Sequence, residues 1–284
     1  MPGPRRVLLT EPSFFKVDYV INPHMEGNVG QVDQQEARRQ WGELLKAYET
    51  LGIKTVTLPG SARLPDMVFC ANQTLPYFLP HTEGTRRAQC GVVLSHMHAP
   101  QRRDEVIYYE RFFRSEGYHT EHLPLSVVGD FEGMGDALWH VERYLLWGGH
   151  GFRTDLSAYQ HIAERLDVRV IALALHDPDF YHLDTCLSML DETSALFYPG
   201  AFDETGLALI RHFFPTLIEA PEDEARNRFA CNAHCPDGQH VLLQKGCTET
   251  SRRLREAGFE PIDIETSEFL KAGGSVFCMK QMFW

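Results

Sequence analysis

The sequence predicts an α/β fold in which five similar units form one closed ring with pseudo-fivefold symmetry. One order of elements, an amphipathic helix, a short break and then a strand, occurs five times along the 284 residues. No linker, low-complexity tract or change of composition separates the five units. A chain of this length can bury a sizeable core, so we predict a single domain over residues 1–284.

The first unit shows this order most clearly. Asp33 is suited to cap a helix over Gln34–Leu51, and Glu36 follows it by three residues, as in a capping box. Gly52 can end the helix, because glycine adopts the left-handed conformation of a helix C-terminus without a steric penalty. The strand Ile53–Pro59 follows directly.

Four further units repeat the pattern. Their helices are predicted over Arg102–Glu116, Leu156–Leu166, Glu204–Phe214 and Glu249–Ala257. These helices break at Gly117, Asp167, Pro215 and Gly258, and strands follow over Tyr118–Pro124, Val168–Leu175, Thr216–Pro221 and Phe259–Ile264. The strand over 168–175 is almost continuously apolar, as expected of a buried strand. Further strands are predicted between the units, at Gly91–Met97, Arg143–Trp147, Ser194–Tyr198 and His240–Gln244.

An open, doubly wound sheet is the main alternative, since it also alternates helices and strands. That fold predicts a glycine-rich, phosphate-binding turn after the first strand. The residues after Leu58 are Pro-Gly-Ser-Ala-Arg, which do not have that pattern. The closed ring is therefore the favoured architecture.

Composition and charge limit the partners of the protein. Apolar residues make up 43% and charged residues 23%, as in globular proteins. The 27 Lys and Arg against 39 Asp and Glu give a net charge of −12, which disfavours nucleic acid and suits a small cationic substrate. No apolar run approaches the roughly 18 residues of a membrane span, and Val7-Leu8-Leu9 is too short for a secretory signal. We expect a cytoplasmic protein that binds no membrane and could form a homo-oligomer.

The seven cysteines are odd in number and irregularly spaced, which favours reduced thiols over a disulfide framework. Cys231, His234 and Cys235, with His240 and Cys247 downstream, could be read as zinc ligands. However, their spacing lacks the paired cysteine motifs of structural zinc sites. We therefore favour structural cysteines here and expect neither a metal nor a cofactor.

A candidate site emerges when positions are counted within each unit. Asp66, Glu132 and His182 follow the break of their own unit by 14, 15 and 15 residues, and Cys278 follows its break by 20. In a ring of similar units such positions converge, which would combine a thiol with a base and anionic groups. The pair Gly273-Gly274 would let the backbone approach a ligand closely. Each residue also has an ordinary structural interpretation: most cysteines are buried and inert, and Asp66 could cap a turn.

Three motifs in this set resemble one superfamily. Phe131–Asp136 (FEGMGD), His182–Asp184 (HLD) and Gly273–Met279 (GGSVFCM) resemble the guanidino-modifying hydrolases, or penteins. That group contains arginine deiminases, dimethylarginine dimethylaminohydrolases and amidinotransferases, and the likeness covers nearly the whole chain. It implies a five-bladed α/β propeller, in agreement with the repeats.

Other segments are similar to the arginine dihydrolases, which occur as the N-terminal part of longer cyanobacterial proteins. These segments are Val20–Asn28, Met67–Asn72 and Gly151–Thr154. Deiminases carry an aspartate where this chain has Asn72, whereas the dihydrolases carry asparagine. Since the sequence ends at Trp284, we expect no ornithine-processing domain.

The resemblance also implies roles for individual residues. Cys278 would attack the guanidinium carbon, and His182 would protonate the leaving amine and later activate water. Glu132 and Asp184 would bind the guanidinium N–H groups. The other substrate-binding candidates are Asn22, Phe69, Asn72, Arg102, Asp136 and Arg153; of these, Asn22, Arg102 and Arg153 would hold the α-amino-acid end, and Asp136 would orient either a loop or a substrate amine.

Several alternatives remain open from the sequence. The chain could instead be a dimethylarginine dimethylaminohydrolase, an amidinotransferase, or a non-catalytic pentein used as a binding module. Arg102 could be a charge on a helix surface, paired with Glu105. The neutral Asn72 would repel a ureido product less than an aspartate, so citrulline could be retained for a second hydrolysis to ornithine.

Overall fold

A computed structural model of the chain describes residues 3–79, 89–124, 126 and 128–284. In chain order the strands are β1 Arg6–Thr10, β2 Lys54–Leu58, β3 Thr74–Leu79, β4 Gln89–Leu94, β5 His119–His122, β6 Ala137–His140, β7 Leu145–His150, β8 Arg169–Ala174, β9 Leu187–Met189, β10 Ser194–Phe197, β11 Thr216–Glu219, β12 His240–Gln244, β13 Glu260–Ile264 and β14 Gln281–Phe283. The α-helices are α1 Gln34–Thr50, α2 Val106–Ser115, α3 Gly133–Asp136, α4 Leu156–Leu166, α5 Glu204–Phe213, α6 Glu222–Arg228, α7 Thr248–Glu256 and α8 Ser267–Leu270.

The described strands form five small sheets, one for each predicted unit. Their strand orders are β14-β1-β2, β3-β4-β5, β6-β7-β8, β9-β10-β11 and β12-β13. In each sheet two parallel strands are joined through a helix, as β1 and β2 are joined through α1. In the three-stranded sheets the third strand is antiparallel. The repeated order of helix, break and strand is therefore present in every unit.

Strand β14 joins the two ends of the described chain. It pairs with β1 in antiparallel register, with Val7 opposite Met282. Phe283 then packs edge-on against Phe113, with ring centroids 5.6 Å apart, and also contacts Tyr118. Because Phe113 and Tyr118 belong to the second unit, the C-terminal strand fastens the first and second units together.

The breaks between helix and strand behave as predicted. Gly52, Gly117 and Gly258 have φ values of 73°, 82° and 94°, and Asp167 has φ 49°, all in the left-handed region. Asp33 accepts hydrogen bonds from the amides of residues 35 and 36, as a helix cap does. These boundaries are correct because they depend on local backbone chemistry.

Some boundaries differ from the prediction. The helix expected from Arg102 begins as a 3₁₀ segment, Pro100–Glu105, and becomes α-helical only at Val106. Strand β7 starts at Leu145 instead of Arg143, since Tyr144 has a left-handed φ of 49° that interrupts an extended strand. None of the described helices is long and apolar enough to cross a membrane.

All seven cysteines are free thiols. The predicted alternative of a zinc site finds no support in the part of the chain that the structure describes, where no group of three or more His, Cys, Asp or Glu side chains could hold a metal ion. His234 instead shares a hydrogen bond of 2.8 Å between its Nδ1 and the Tyr48 hydroxyl. Cys231 is fully buried in the core.

Candidate active site

A small, closed cavity brings together residues from widely separated units. It is lined by Ile21, Asn22, Met25, Asp66, Phe69, Asn72, Arg102, Arg153, Tyr181, His182, Ala272, Gly273 and Cys278. Its volume is about 10 Å³, room for about one water molecule. A larger ligand can therefore enter only if some lining residues move. Seven of the ten predicted site residues line this cavity, and Glu132, Asp136 and Asp184 lie in the shell behind it.

The nucleophile candidate lies in a tight turn before β14. Cys278 is 3% exposed, and its Sγ lies 3.2 Å from Asp184 Oδ2. The Nδ2 of Asn232 donates to the same sulfur at 3.1 Å. Burial and the neighbouring Asp184 raise the pKa of the Cys278 thiol well above its usual value, and burial raises the pKa of Asp184 to about 7. Without a ligand, the thiol and the carboxyl group together favour a neutral, protonated pair.

Asn232 holds this turn in place. Its Oδ1 accepts hydrogen bonds from the backbone amides of Ser275, Phe277 and Cys278, at 3.1, 3.1 and 3.2 Å. Its Nδ2 also donates to the backbone oxygen of Asp184 at 3.0 Å. One side chain thus fixes both the thiol and the segment that carries the adjacent acid. In the sequence, the segment around Asn232 drew attention only as a possible zinc site, so these contacts of Asn232 were not predicted.

The second pair joins the candidate base to an acid. His182 Nε2 lies 2.6 Å from Glu132 Oε2, and Arg153 donates to the same oxygen at 3.3 Å. The other oxygen accepts the amide of His98 at 3.0 Å. Burial raises the pKa of Glu132, but Arg153 and the bond with His182 outweigh burial, so its pKa lies well below the usual range. Glu132 is thus an anion that orients His182.

The contacts of Glu132 bear on the role that the resemblance implies for it. The resemblance implies that both Glu132 and Asp184 bind the guanidinium. Neither carboxylate lines the cavity. The two oxygens of Glu132 already accept hydrogen bonds from protein donors, whereas Asp184 Oδ1 has no partner among the described residues. The position of Glu132 suits an indirect role, in which it orients His182. Sequence spacing alone could not distinguish this role from direct contact with the substrate.

Asp136 holds the His182 segment. Its Oδ1 accepts the amide of Leu183 at 3.0 Å, and its Oδ2 accepts the Thr154 hydroxyl at 2.7 Å. Burial raises the pKa of Asp136 to about 6. Of the two expected roles, orienting a loop or a substrate amine, this arrangement corresponds to the first.

Arg102 is not a surface charge. It is 4% exposed, and although it pairs with Glu105 at 2.9 Å as the alternative expected, the pair is buried. The guanidinium also donates to the backbone oxygens of Asp66 and Phe69, at 3.2 and 3.1 Å, and to Asn72 Oδ1 at 3.0 Å. Arg102 therefore holds the whole 66–72 segment against the cavity.

Polar contacts also connect the parts of the cavity wall formed by Ile21, Asn22, Arg153 and Ala272. Arg153 donates to the backbone oxygen of Ile21 at 2.6 Å and stacks 4.7 Å over the Tyr181 ring. Asn22 donates from Nδ2 to the oxygen of Ala272 at 3.0 Å. Gly273 has φ 82°, and a Cβ there would lie 2.7 Å from Asn22 Oδ1. This glycine is required by close packing and by its backbone conformation.

Three buried polar atoms at the site have no hydrogen-bond partner among the described residues. They are Asp66 Oδ1, Asp184 Oδ1 and Asn72 Nδ2. Buried polar atoms are normally satisfied. The Asp66 acceptor and the Asn72 donor belong to residues that line the cavity and are available to a ligand, and the Asp184 acceptor lies behind them. A planar cation with several N–H groups would satisfy both carboxylate oxygens. Asp66 was noted in the sequence by its spacing but was not assigned a role.

Comparison with known proteins gives matches over nearly the whole chain. Residues 18–283 match the family model described as N,N dimethylarginine dimethylhydrolase, eukaryotic. The chain is 37% identical over 277 residues to the bifunctional arginine dihydrolase/ornithine cyclodeaminase ArgZ of Synechocystis sp., a match that covers 96% of this chain and 37% of ArgZ. It is 38% identical over 277 residues to the N(G),N(G)-dimethylarginine dimethylaminohydrolase of Mycobacterium tuberculosis, covering 98% of this chain and 85% of that protein. The chain thus spans little more than a third of the length of ArgZ.

Solved structures show the same architecture. The substrate-bound N-terminal domain of ArgZ, a cysteine-to-serine mutant, matches with a TM-score of 0.89 at 35% identity and covers 98% of this chain and 97% of that domain. A dimethylarginine dimethylaminohydrolase adduct with S-methyl-L-thiocitrulline matches in fold, with a TM-score of 0.79 at 24% identity over 99% of this chain and 100% of that one. Together with the sheet order, these matches confirm the predicted five-bladed α/β propeller.

Proposed function

Since the chain belongs to the dimethylarginine dimethylaminohydrolase family of the pentein superfamily, we propose that it hydrolyses guanidino C–N bonds of L-arginine or an arginine derivative through a covalent intermediate on Cys278. The observation that carries this proposal is the thiol of Cys278 lying 3.2 Å from Asp184, whose second oxygen is buried without a partner. Once the lining residues have moved to admit the substrate, a guanidinium N–H that reached that oxygen would bring the guanidinium carbon next to the sulfur.

Binding of the cation would activate the thiol. A positive charge beside Asp184 favours the ionised carboxylate, and it also favours the thiolate of Cys278. The thiolate then attacks the guanidinium carbon, and His182 gives a proton to the departing ammonia. Water, deprotonated by His182, attacks the resulting amidino-thioether and expels the thiolate. The balance for one cycle is arginine plus water to citrulline plus ammonia.

The orientation of Asn72 supports a second hydrolysis. Arg102 donates to Asn72 Oδ1 at 3.0 Å, which leaves the Nδ2 donor free of described partners at the cavity. A donor there can bind the carbonyl oxygen of a neutral ureido group, so citrulline could be held instead of released. A second cycle would consume water and give ornithine, carbon dioxide and another ammonia. The amino-acid end of the substrate is assigned, within this proposal, to Asn22, Arg102 and Arg153.

The stoichiometry of ammonia tests the proposal. We expect the purified protein to release two ammonia per arginine consumed and to accumulate ornithine. Asn72→Asp should shift the products toward one ammonia and citrulline, because a carboxylate cannot donate to the ureido oxygen. Citrulline accumulation by the parent protein would refute the second step while leaving the first intact.

Replacing the nucleophile tests the covalent step. Cys278→Ser should abolish turnover, because the hydroxyl is a much weaker nucleophile at neutral pH, and should leave thermal unfolding unchanged. Cys235→Ser, at a partly exposed thiol outside the cavity, is the matched control. Turnover by Cys278→Ser at the parent rate would contradict the mechanism.

Dimethylarginine hydrolysis is the second candidate. It is favoured by the 38% identity to the mycobacterial dimethylaminohydrolase, of which the matched region covers 85%. Release of dimethylamine from N(G),N(G)-dimethylarginine, measured by mass spectrometry beside arginine, agmatine and citrulline, separates the two. Adding an acceptor amine to the same set of reactions tests amidino transfer. If the protein turned over none of these compounds, the binding-module alternative would be favoured.

A further inference from the structure

A second, larger cavity lies behind the turn that carries Cys278. Its volume is about 230 Å³, and its lining includes Trp139, Met189, His234, Phe277, Lys280 and Trp284. Cys278 lines the small cavity, whereas its neighbours Phe277 and Lys280 line this one. We call this space the Lys280 cavity. The proposed hydrolysis makes no use of it.

Lys280 is the unusual group in this cavity. It is 1% exposed, and its Nζ lies 3.1 Å from the centroid of the Phe277 ring. No described residue accepts a hydrogen bond from this amine or forms an ion pair with it. Burial lowers the pKa of the Lys280 amine to about 7, although the charge of Asp184 opposes this shift. A buried ammonium is costly, and one aromatic ring compensates for only part of that cost. An anionic acceptor that reached Lys280 would therefore stabilise its charged form.

The surroundings define the class of ligand. A carboxylate would accept directly from the Lys280 amine. The ligand should carry a single negative charge, because the partly exposed Asp191 and Glu192 also line the cavity and would repel a dianion. Its remaining part should be apolar, since most of the lining side chains are apolar, Trp139 and Met189 among them.

We propose that the Lys280 cavity binds small monocarboxylates with an apolar body, with the carboxylate on the Lys280 amine and the body against Trp139 and Met189. The site is separate from the one at which arginine would react. It does not depend on the proposed function, since binding can be measured in a protein that turns nothing over.

Fluorine NMR of protein labelled with 5-fluorotryptophan tests both binding and location. Benzoate should shift the resonances of Trp139 and Trp284, which line the cavity, but not those of Trp41 and Trp147, which do not. Single Trp→Phe variants assign the four signals. Benzamide, which has the same shape without the charge, and benzylamine, which has the opposite charge, should give no shift at the same concentrations.

Variants identify the amine as the anchor. Lys280→Met should weaken benzoate binding about tenfold or more, because it removes a charge-assisted hydrogen bond, while Lys46→Met on the exposed face of α1 should not change it. Met189→Phe fills part of the cavity and keeps Lys280, so it should also weaken binding even if Lys280→Met fails to fold. Titrations in Cys278→Ser with saturating arginine should give the parent affinity. The proposal would be overturned if benzoate gave no shift, or if benzamide gave equal shifts. It would also be overturned if benzoate affinity were unchanged in both Lys280→Met and Met189→Phe, or if arginine abolished benzoate binding.

Discussion

Replacing Asn232 with alanine should damage both stability and activity, because this one side chain fixes the nucleophile turn. The change removes the only described acceptor of the Ser275 and Cys278 amides, and it removes the donor to the Cys278 sulfur. Phe277 keeps a backbone acceptor, the oxygen of residue 232, at 3.1 Å. Two buried N–H groups are therefore left unsatisfied.

The magnitude follows from that count. An unsatisfied buried donor costs about 1–3 kcal/mol, so two donors should lower the free energy of unfolding by roughly 2–6 kcal/mol. For a chain of this size the Tm should fall by roughly 3–10 °C. Turnover should fall about 100-fold or more, because a displacement of about 1 Å at a reacting group costs that much.

Calorimetry measures the loss of stability, and an activity assay measures the loss of turnover. The reactivity of the Cys278 thiol is measured by alkylation with iodoacetamide, followed by peptide mass spectrometry. Asn227→Ala is the matched control, since Asn227 bonds only to Asp223 on an exposed helix. Asn232→Asp keeps the acceptor for the amides but places another acid beside Asp184, so Cys278 alkylation should need a higher pH than in the parent. Parent-like Tm and turnover in Asn232→Ala would refute the reasoning.

Three further predictions concern the acid, the glycine and the domain. Burial raises the folded-state pKa of Asp184 to about 7, so its protonated carboxyl stabilises the fold below about pH 4, and that contribution is lost as pH rises through about 7. In urea unfolding, Asp184→Asn should therefore gain stability relative to the parent between about pH 5 and about pH 8. A difference in stability that stays constant with pH would contradict this. Gly273→Ala should lower Tm and turnover more than Gly258→Ala, since both have positive φ but only Gly273 would meet other atoms; equal losses would show that crowding is unimportant. We propose that residues 1–284 unfold as one domain, so calorimetry should give a single transition, and two resolved transitions would refute it.

The helices and their ends were predictable because their causes are local. Asp33 caps α1 through neighbouring amides, and Gly117 closes its helix through its own backbone conformation. The predicted helix start at Arg102 was wrong for the opposite reason. The Arg102 side chain is buried and bonds to Asn72 and to Glu105. Contacts across the fold override helix propensity there.

The site was predicted in its membership more fully than in its roles. Repeat spacing and family resemblance selected Cys278, His182 and Asn72, all of which line one cavity. The cytoplasmic location and the homo-oligomer stay predictions. Asn232 and Lys280 were missed although each lies beside a segment that drew attention in the sequence, the possible zinc ligands Cys231 to Cys235 and the Gly273–Met279 motif. Their importance depends on atoms brought close only by folding.

By itself the sequence determined the five repeated units, and hence a ring whose loops meet, because periodic apolar residues and helix ends depend on near neighbours. Only the tertiary structure decided which acid faces the thiol and which one orients the imidazole. Asp184 and Cys278 are 94 positions apart and Glu132 and His182 are 50 apart. Hydrogen bonds between residues so far apart in sequence form between units. Burial and packing therefore decide which partner each carboxylate has, and no local sequence pattern contains that information.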